Sequence, residues 1–205
     1  KSGALFGGQI VVTTDAKGVH TVVAADINGD GFIDLVSASD YGDDHKIAWY
    51  QNLDGNGTFG KQIVVTTIAT GVYSVVAADI NGDGYLDLAL ASVDDSKIAW
   101  YQNLDGKGTK WKEIVVTTVA LYAMSVVAAD INGDGYLDLA SASYGDNKIA
   151  WYQNLDGKGT KWKQIVVTTN AKYAFSVVAA DINGDGYVDL ASASSNDNKI
   201  AWYQN

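Results

Sequence analysis

Residues 74–88 read Ser-Val-Val-Ala-Ala-Asp-Ile-Asn-Gly-Asp-Gly-Tyr-Leu-Asp-Leu, and near-copies of this stretch occur four times in the chain. Its hexapeptide Asp-Ile-Asn-Gly-Asp-Gly begins at Asp26, Asp79, Asp130 and Asp181. Two further segments, Ile-Val-Val-Thr-Thr and Lys-Ile-Ala-Trp-Tyr-Gln-Asn, recur in step with it, at intervals of about 51 residues. The four repeats account for nearly all of the 205 residues, so we expect a single domain without a linker.

Each repeat contains four short runs rich in Val, Ile, Ala, Trp and Tyr, separated by turns rich in Gly, Asp and Asn. Runs this short favour strands over helices, which need about 10 residues or more. In the second repeat we predict strands at Ser74–Ile80, Leu86–Ser92, Lys97–Asn103 and Glu113–Thr118. Four antiparallel strands per repeat are typical of a β-propeller blade, so we predict an all-β, four-bladed β-propeller.

The predicted blades follow the repeat boundaries. Blade 1 covers about residues 20–67, blade 2 about 73–118, blade 3 about 124–169, and blade 4 about 175–205 together with residues 9–14. The last repeat stops after its third strand, and Gln9–Thr14 matches the fourth strand of the other repeats. We expect this N-terminal strand to complete the last blade, either in the same chain or in a neighbouring molecule, where a contact that does not close makes a filament.

The turn between the first two strands of every repeat carries oxygen-bearing side chains at its positions 1, 3, 5 and 9. Alternate residues of a tight turn can direct carboxylate and amide oxygens inward, and position 7 can add a backbone carbonyl. These groups would repel one another without a cation, so we predict about four Ca²⁺ ions, one per repeat. The predicted ligands are Asp26, Asn28, Asp30, Phe32 and Asp34; Asp79, Asn81, Asp83, Tyr85 and Asp87; Asp130, Asn132, Asp134, Tyr136 and Asp138; Asp181, Asn183, Asp185, Tyr187 and Asp189.

These turns differ from an EF-hand, which carries Glu at position 12 between two helices. Here position 12 is Ser37, Leu90, Ser141 or Ser192, and the flanking segments are predicted strands. An Asx turn without a metal is the alternative interpretation. Mg²⁺ is disfavoured because it keeps its waters, whereas these turns offer many protein oxygens.

The repeated stretch resembles the FG-GAP/VCBS repeat of calcium-binding β-propellers, the type found in integrin α-subunit heads and in lectins. The resemblance covers all four repeats. It implies bladed sheets, one calcium ion per loop, and a role in adhesion or ligand binding outside the cell. Relatives commonly have seven blades, so the resemblance also leaves open that two chains share a larger ring.

The turns opposite the acidic turns vary most between repeats, and loops on a rigid scaffold commonly carry function. We expect a carbohydrate or protein ligand on that face. The alternative is that the sequences of these turns vary because nothing constrains them. The candidate residues on that face are His20, Tyr73, Met124 and Phe175. Trp111 and Trp162, beside lysines at the start of the fourth strands, are further ligand-binding candidates as exposed aromatic side chains. Asn56, in Asn-Gly-Thr, is a candidate for N-glycosylation.

The composition excludes several classes of function. The chain has 14 lysines, no arginine and 24 acidic residues, a net charge of −10 that argues against nucleic acid and anionic membrane surfaces. No apolar run is long enough to insert into a membrane. The chain has no Cys, and no catalytic triad or phosphate loop is recognisable around its two histidines.

We therefore expect a non-enzymatic, calcium-binding recognition or adhesion module, extracellular or at the cell surface, with glycans as the favoured ligand. Two alternatives remain open at this point. One is a structural protomer of an extracellular filament that self-associates through Gln9–Thr14. The other is an engineered repeat scaffold, which the near-identity of the repeats suggests.

Overall fold

A computed structural model describes residues 7–42 and 44–205 of the protein. Within them, antiparallel strands form four sheets in chain order, of which the first three have four strands and the last has three. The strands are β1 Val19–Ala25, β2 Asp34–Tyr41, β3 Asp44–Asn52 and β4 Phe59–Thr66 in sheet 1; β5 Val72–Ala78, β6 Asp87–Ser92, β7 Lys97–Asn103 and β8 Trp111–Thr117 in sheet 2; β9 Ala123–Ala129, β10 Asp138–Ser143, β11 Lys148–Asn154 and β12 Trp162–Thr168 in sheet 3; β13 Ala174–Ala180, β14 Asp189–Ser194 and β15 Lys199–Tyr203 in sheet 4. The described residues include no helix long and apolar enough to cross a membrane.

Each sheet is a meander in which consecutive strands pair, as the sequence predicts. In sheet 2 the first strand ends at Ala78, two residues before the predicted end. The difference arises in the turn, because the backbone N–H of Ile80 donates to the Asp87 carboxylate (3.1 Å) instead of joining the strand ladder. Side-chain acceptors therefore end the strand where apolar patterning alone would continue it.

The sheets pack face to face in chain order, sheet 1 on sheet 2, sheet 2 on sheet 3 and sheet 3 on sheet 4. In the first junction, Ile27 and Trp49 of sheet 1 meet Val75, Leu88 and Tyr101 of sheet 2. We call the face that a sheet turns toward the following sheet its front face, and the face toward the preceding sheet its back face. All six residues of β6 are buried because both faces of that strand are covered.

The first two junctions use the same hydrogen bond. The Trp49 indole N–H donates to the Gly108 carbonyl of the next sheet at 2.9 Å, and Trp100 donates to Gly159 at 3.0 Å. The first two junctions are therefore built in the same way.

The outer faces of the array are exposed. Val22 on the back face of sheet 1 is 64% exposed, whereas its equivalent Val75 is 2% exposed. Ile200 on the front face of sheet 4 is 88% exposed, whereas its equivalent Ile98 is 0% exposed. A ring closed within four sheets would bury both faces against each other, so the closed four-bladed ring predicted from the sequence is not seen in this structure.

The predicted pairing of Gln9–Thr14 with the last sheet of the same chain is also not seen. The segment forms no strand, and sheet 4 consists of β13, β14 and β15. Gln9–Thr14 lies instead along the back face of sheet 1, beside Val22 and Tyr50. Contacts with sheet 1 explain this, because the Lys46 ammonium and the Gln62 side-chain amide both donate to the carbonyl of Asp15, directly after the segment. Completion of a neighbouring molecule's sheet stays a prediction.

Candidate metal loops and binding face

The turn between the first and second strand of each sheet, which we call the acidic loop, has the same hydrogen bonds in every repeat. In sheet 2, Asp79 accepts the backbone N–H of Asp83 at 3.0 Å and that of Gly84 at 2.8 Å. The Asn81 side-chain oxygen accepts the same Asp83 N–H at 3.0 Å. Two side-chain oxygens that share one donor must lie beside each other, so the loop gathers the oxygens of its positions 1 and 3.

Position 5 joins this cluster. One carboxylate oxygen of Asp83 accepts the Tyr85 backbone N–H at 3.0 Å, and the other accepts the Asn81 amide N–H at 2.9 Å. Gly84 has a φ of 89°, in the region that side chains other than glycine avoid, and this conformation turns the chain sharply after Asp83. The loop therefore folds into a compact cluster of polar side chains at one edge of the sheet.

The Asp at position 9 has a different environment, since Asp34, Asp87, Asp138 and Asp189 are all fully buried. Asp87 accepts the Ile80 N–H at 3.1 Å with one oxygen and the Asn103 N–H at 2.8 Å with the other. Burial above all, and the neighbouring carboxylates of Asp83 and Asp79, raise the pKa of Asp87 to about 7 against the lowering effect of its two backbone hydrogen bonds. This side chain ties the acidic loop to the third strand, a role that sequence reasoning missed; its role as a metal ligand stays a prediction.

The donor set of the acidic loop suits calcium. Positions 1, 3 and 5 supply two carboxylates and one amide oxygen, and position 7 adds a backbone carbonyl, all of them hard oxygen ligands. The shared donor at Asp83 already brings the oxygens of Asp79 and Asn81 together. Among residues 7–42 and 44–205, no three acidic or His side chains converge closely enough to form a ready metal cage. Asp79, Asn81 and Asp83 would therefore have to draw together around a bound ion.

The edge opposite the acidic loops, which we call the variable edge, brings together three of the predicted ligand-binding side chains. The His20 ring stacks on the Tyr73 ring with centroids 4.6 Å apart, and Phe175 meets Tyr73 edge-on at 5.7 Å. These residues belong to β1, β5 and β13, so one aromatic cluster spans three sheets. Met124 occupies the equivalent position of β9 and is half-buried.

Trp111 and Trp162 pack against the cores between sheets, so the prediction that they are exposed aromatic side chains is wrong. Both are half-buried, and Trp111 packs against the core of the first junction while Trp162 packs against that of the second. The Trp111 indole N–H donates to the Gly108 carbonyl at 2.9 Å. Lysine neighbours in the sequence suggested exposure, but each indole reaches inward from the first residue of its strand.

A second aromatic pair on the variable edge was not singled out from the sequence. The rings of Tyr144 and Tyr173 stack with centroids 4.3 Å apart. Tyr173 has a φ of 55°, a left-handed backbone conformation that the repeat pattern does not predict. Asn56 is exposed in the turn before β4, and its role as a glycosylation acceptor stays a prediction.

Comparison with solved structures supports the fold. The chain is similar to a lectin from Agrocybe aegerita whose structure describes specific recognition of non-reducing terminal N-acetylglucosamine, with 20% identity and a TM-score of 0.58 over 86% of this chain and 48% of that one. It is also similar to the V. cholerae biofilm matrix protein Bap1, with 22% identity and a TM-score of 0.43 over 91% of this chain and 37% of that one. The chain thus spans about half the length of the lectin.

Comparison of the sequence with curated proteins finds no match. The family model described as FG-GAP-like repeat matches residues 26–90, 86–141 and 130–192. These segments include every acidic loop and cover more than half of the chain. The resemblance suggested by the repeated stretch is therefore confirmed, and the chain belongs to the FG-GAP-like repeat family.

Proposed function

We propose that this protein is a non-enzymatic, calcium-binding recognition or adhesion module that binds carbohydrate outside the cell. The observation that carries the proposal is the division of the molecule into two edges. The acidic loops are nearly identical along one edge, while the cluster of His20, Tyr73 and Phe175 marks the other. This is the arrangement expected of a metal-stabilised scaffold that presents a variable binding surface.

Calcium would be held by the side chains of positions 1, 3 and 5 of each acidic loop and by the carbonyl of position 7. The ion supplies positive charge that offsets the repulsion among these carboxylates, so binding should stabilise the folded state. A ligand at about 100 times its Kd contributes about 2.7 kcal/mol per independent site.

The calcium assignment can be tested by counting bound ions. Asp83→Ala removes a carboxylate that is exposed in its loop, and we expect bound calcium to fall by one equivalent per chain. Asp105→Ala is the matched control, because Asp105 lies in a neighbouring turn where it bonds the Lys107 N–H at 3.0 Å. Calcium should be measured by atomic emission after dialysis. Unchanged stoichiometry in Asp83→Ala would contradict the assignment.

Carbohydrate is proposed as the ligand because aromatic rings offer apolar faces on which sugar rings stack. The Tyr73 ring is the centre of the cluster, since it contacts both His20 and Phe175. The lectin that shares this fold recognises terminal N-acetylglucosamine, which makes that sugar the first probe to use.

Binding of N-acetylglucosamine oligosaccharides should be measured by calorimetry in millimolar calcium. Tyr73→Ala should weaken binding about tenfold or more, equivalent to about 1.4 kcal/mol. Tyr136→Ala is the control, since Tyr136 is an exposed tyrosine in an acidic loop on the opposite edge. Loss of binding in Tyr136→Ala alone would place the sugar site at the acidic edge. Unchanged binding in both variants would contradict a sugar site at either edge.

A further inference from the structure

Neighbouring acidic loops are connected by an asparagine that ends a third strand. In sheet 2 this residue is Asn103, whose side-chain amide donates to the Ile27 carbonyl in the acidic loop of sheet 1 at 3.1 Å. The backbone N–H of Asn103 donates to the Asp87 carboxylate in the acidic loop of sheet 2 at 2.8 Å. One buried residue therefore bonds to two acidic loops at once.

The two bonded groups lie among the predicted calcium ligands. Ile27 is position 2 of its loop, between the predicted ligands Asp26 and Asn28. Asp87 is position 9 of the next loop and is itself a predicted ligand. Asn103 thus connects the ligand-bearing backbone of one loop to a ligand of its neighbour.

The connection continues from the acidic loop of sheet 2 to that of sheet 3. The Ile80 backbone N–H donates to Asp87 at 3.1 Å, and the Ile80 carbonyl accepts the side-chain amide of Asn154 at 3.2 Å. The Asn154 backbone N–H donates to the Asp138 carboxylate at 2.8 Å. Position 2 therefore bonds to position 9 of its own loop and, through the asparagine, to position 9 of the next loop.

The third junction has the same bonds. The Ile131 N–H donates to Asp138 at 3.3 Å, and its carbonyl accepts the Asn205 side-chain amide at 2.6 Å. The Asn205 N–H donates to Asp189 at 2.8 Å. An unbroken series of hydrogen bonds therefore connects the acidic loops of all four sheets.

The Asn103 side chain is held on every polar atom. Its amide also donates to the Leu86 carbonyl at 3.3 Å, and its oxygen accepts the Gly108 N–H at 3.1 Å. The residue is fully buried, so water cannot replace any of these bonds. A shift of the Ile27 carbonyl must therefore displace Asn103 or break a buried hydrogen bond, which is costly.

Calcium binding requires such a rearrangement. Asp79, Asn81 and Asp83 have to draw together around an ion, and Ile80 lies between the first two of them in the chain. A loop that is fixed around an ion also fixes its position 2, and through the asparagine it fixes position 9 of the next loop. The neighbour then has less conformational entropy to lose when it binds in turn, which favours binding.

Repulsion between bound ions is the opposing effect, and the charges of the loops limit it. Asp79, Asp83 and Asp87 give one loop three aspartates, and the other loops have the same three positions. A divalent ion does not make such a loop positive, so two occupied neighbours do not repel as two bare cations would. The ordering effect therefore decides the sign of the coupling.

We propose that calcium binding in one acidic loop strengthens calcium binding in its neighbours, through Asn103 between sheets 1 and 2 and through Asn154 between sheets 2 and 3. This inference rests on the proposed calcium function. The expected coupling is about fivefold in affinity per junction, at the lower end of the range for coupled sites. The chain therefore fills its loops over a narrower range of calcium concentration than independent sites would.

The coupling can be measured one loop at a time by NMR. In every loop the backbone N–H of the glycine at position 6 donates to the Asp at position 1, at 2.8–2.9 Å, so its signal reports on that loop: Gly31, Gly84, Gly135 and Gly186. Calcium should be added to the calcium-depleted full chain, and the midpoint of the change in each signal recorded. If no glycine signal responds, the calcium function itself is contradicted. If the signals respond, the variants below test the coupling alone.

Asp83→Ala prevents binding in the acidic loop of sheet 2. The midpoints at Gly31 and Gly135, in the two neighbouring loops, should then rise about fivefold, while that at Gly186, two junctions away, should rise less than about twofold. Asp105→Ala is the matched control, because it removes a carboxylate from another turn of sheet 2 and should leave all midpoints unchanged. Unchanged midpoints at Gly31 and Gly135 in Asp83→Ala, or an equal rise at Gly186, would overturn the proposal.

The two asparagines can then be tested against each other. In an Asn103→Ala background, Asp83→Ala should no longer affect Gly31 but should still raise the midpoint at Gly135 about fivefold. In an Asn154→Ala background the two results should be exchanged. Charge or a general loss of stability would affect both neighbours alike, so this crossed pattern identifies the hydrogen-bonded path. If both effects persist in both backgrounds, the asparagines do not carry the coupling.

Discussion

Trp100 in sheet 2 and Trp202 in sheet 4 occupy the same position of near-identical repeats, but their environments differ. Trp100 is 0% exposed, whereas Trp202 is 49% exposed. Sheet 3 covers the first, whereas no sheet formed by residues 7–42 and 44–205 covers the second. The comparison shows that an apolar residue in this repeat stabilises the fold only through the neighbouring sheet. Matched substitutions at interior and end positions therefore measure what a junction contributes.

The largest difference in the free energy of unfolding between an interior and an end substitution is expected at these tryptophans. Trp100→Ala removes a fully buried indole and should lower the free energy of unfolding by about 3–5 kcal/mol. Trp202→Ala removes a half-exposed indole and should cost less than about 1 kcal/mol. Both should be measured by urea unfolding. Equal costs would show that the front face of sheet 4 is covered in solution.

An intermediate difference is expected at the glycines that follow the third strands. Gly108 and Gly57 both have positive φ, 66° and 92°, so Ala strains either backbone by about 1–2 kcal/mol. Gly108→Ala also places a methyl group 2.9 Å from the Trp49 ring and 3.0 Å from Ile27, whereas the methyl group at Gly57 meets open space. Gly108→Ala should therefore cost about 1–3 kcal/mol more than Gly57→Ala. Thermal unfolding of the two variants checks this; a larger loss at Gly57 would refute it.

The smallest difference is expected at the asparagines that end the third strands. Asn103 and Asn52 make the same local bonds, to the carbonyls of Leu86 and Ile33 respectively. Only Asn103 also donates to the preceding sheet, at the Ile27 carbonyl. Asn103→Ala should thus destabilise the chain by about 1 kcal/mol more than Asn52→Ala, the net value of one hydrogen bond. If the costs are equal in urea unfolding, the bond across the junction contributes nothing.

Several features of the site were predictable because they depend on residues close together in the chain. The acidic loop is one of them, since positions 1, 3 and 5 need only a tight turn to bring their oxygens together. The second role of Asp87 was not predictable from spacing, because one of its partners is the backbone of Asn103 in another strand. The inward position of Trp111 depends on the first junction core, which includes residues of sheet 1. Such contacts join segments whose separation in sequence carries no local signal.

The sequence by itself determined the repeat length, the four-stranded meander, the acidic loops and membership of the FG-GAP-like repeat family. These follow from turn residues and from strand-length apolar runs, which act over a few residues. Only the tertiary structure decided that the sheets form an open array with two exposed end faces, and that Gln9–Thr14 lies against sheet 1 without joining sheet 4. The reason is that ring closure depends on the rotation between packed sheets. Sheets are packed through contacts such as the Trp49–Gly108 hydrogen bond, which joins residues far apart in the chain and therefore leaves no local signal in the sequence.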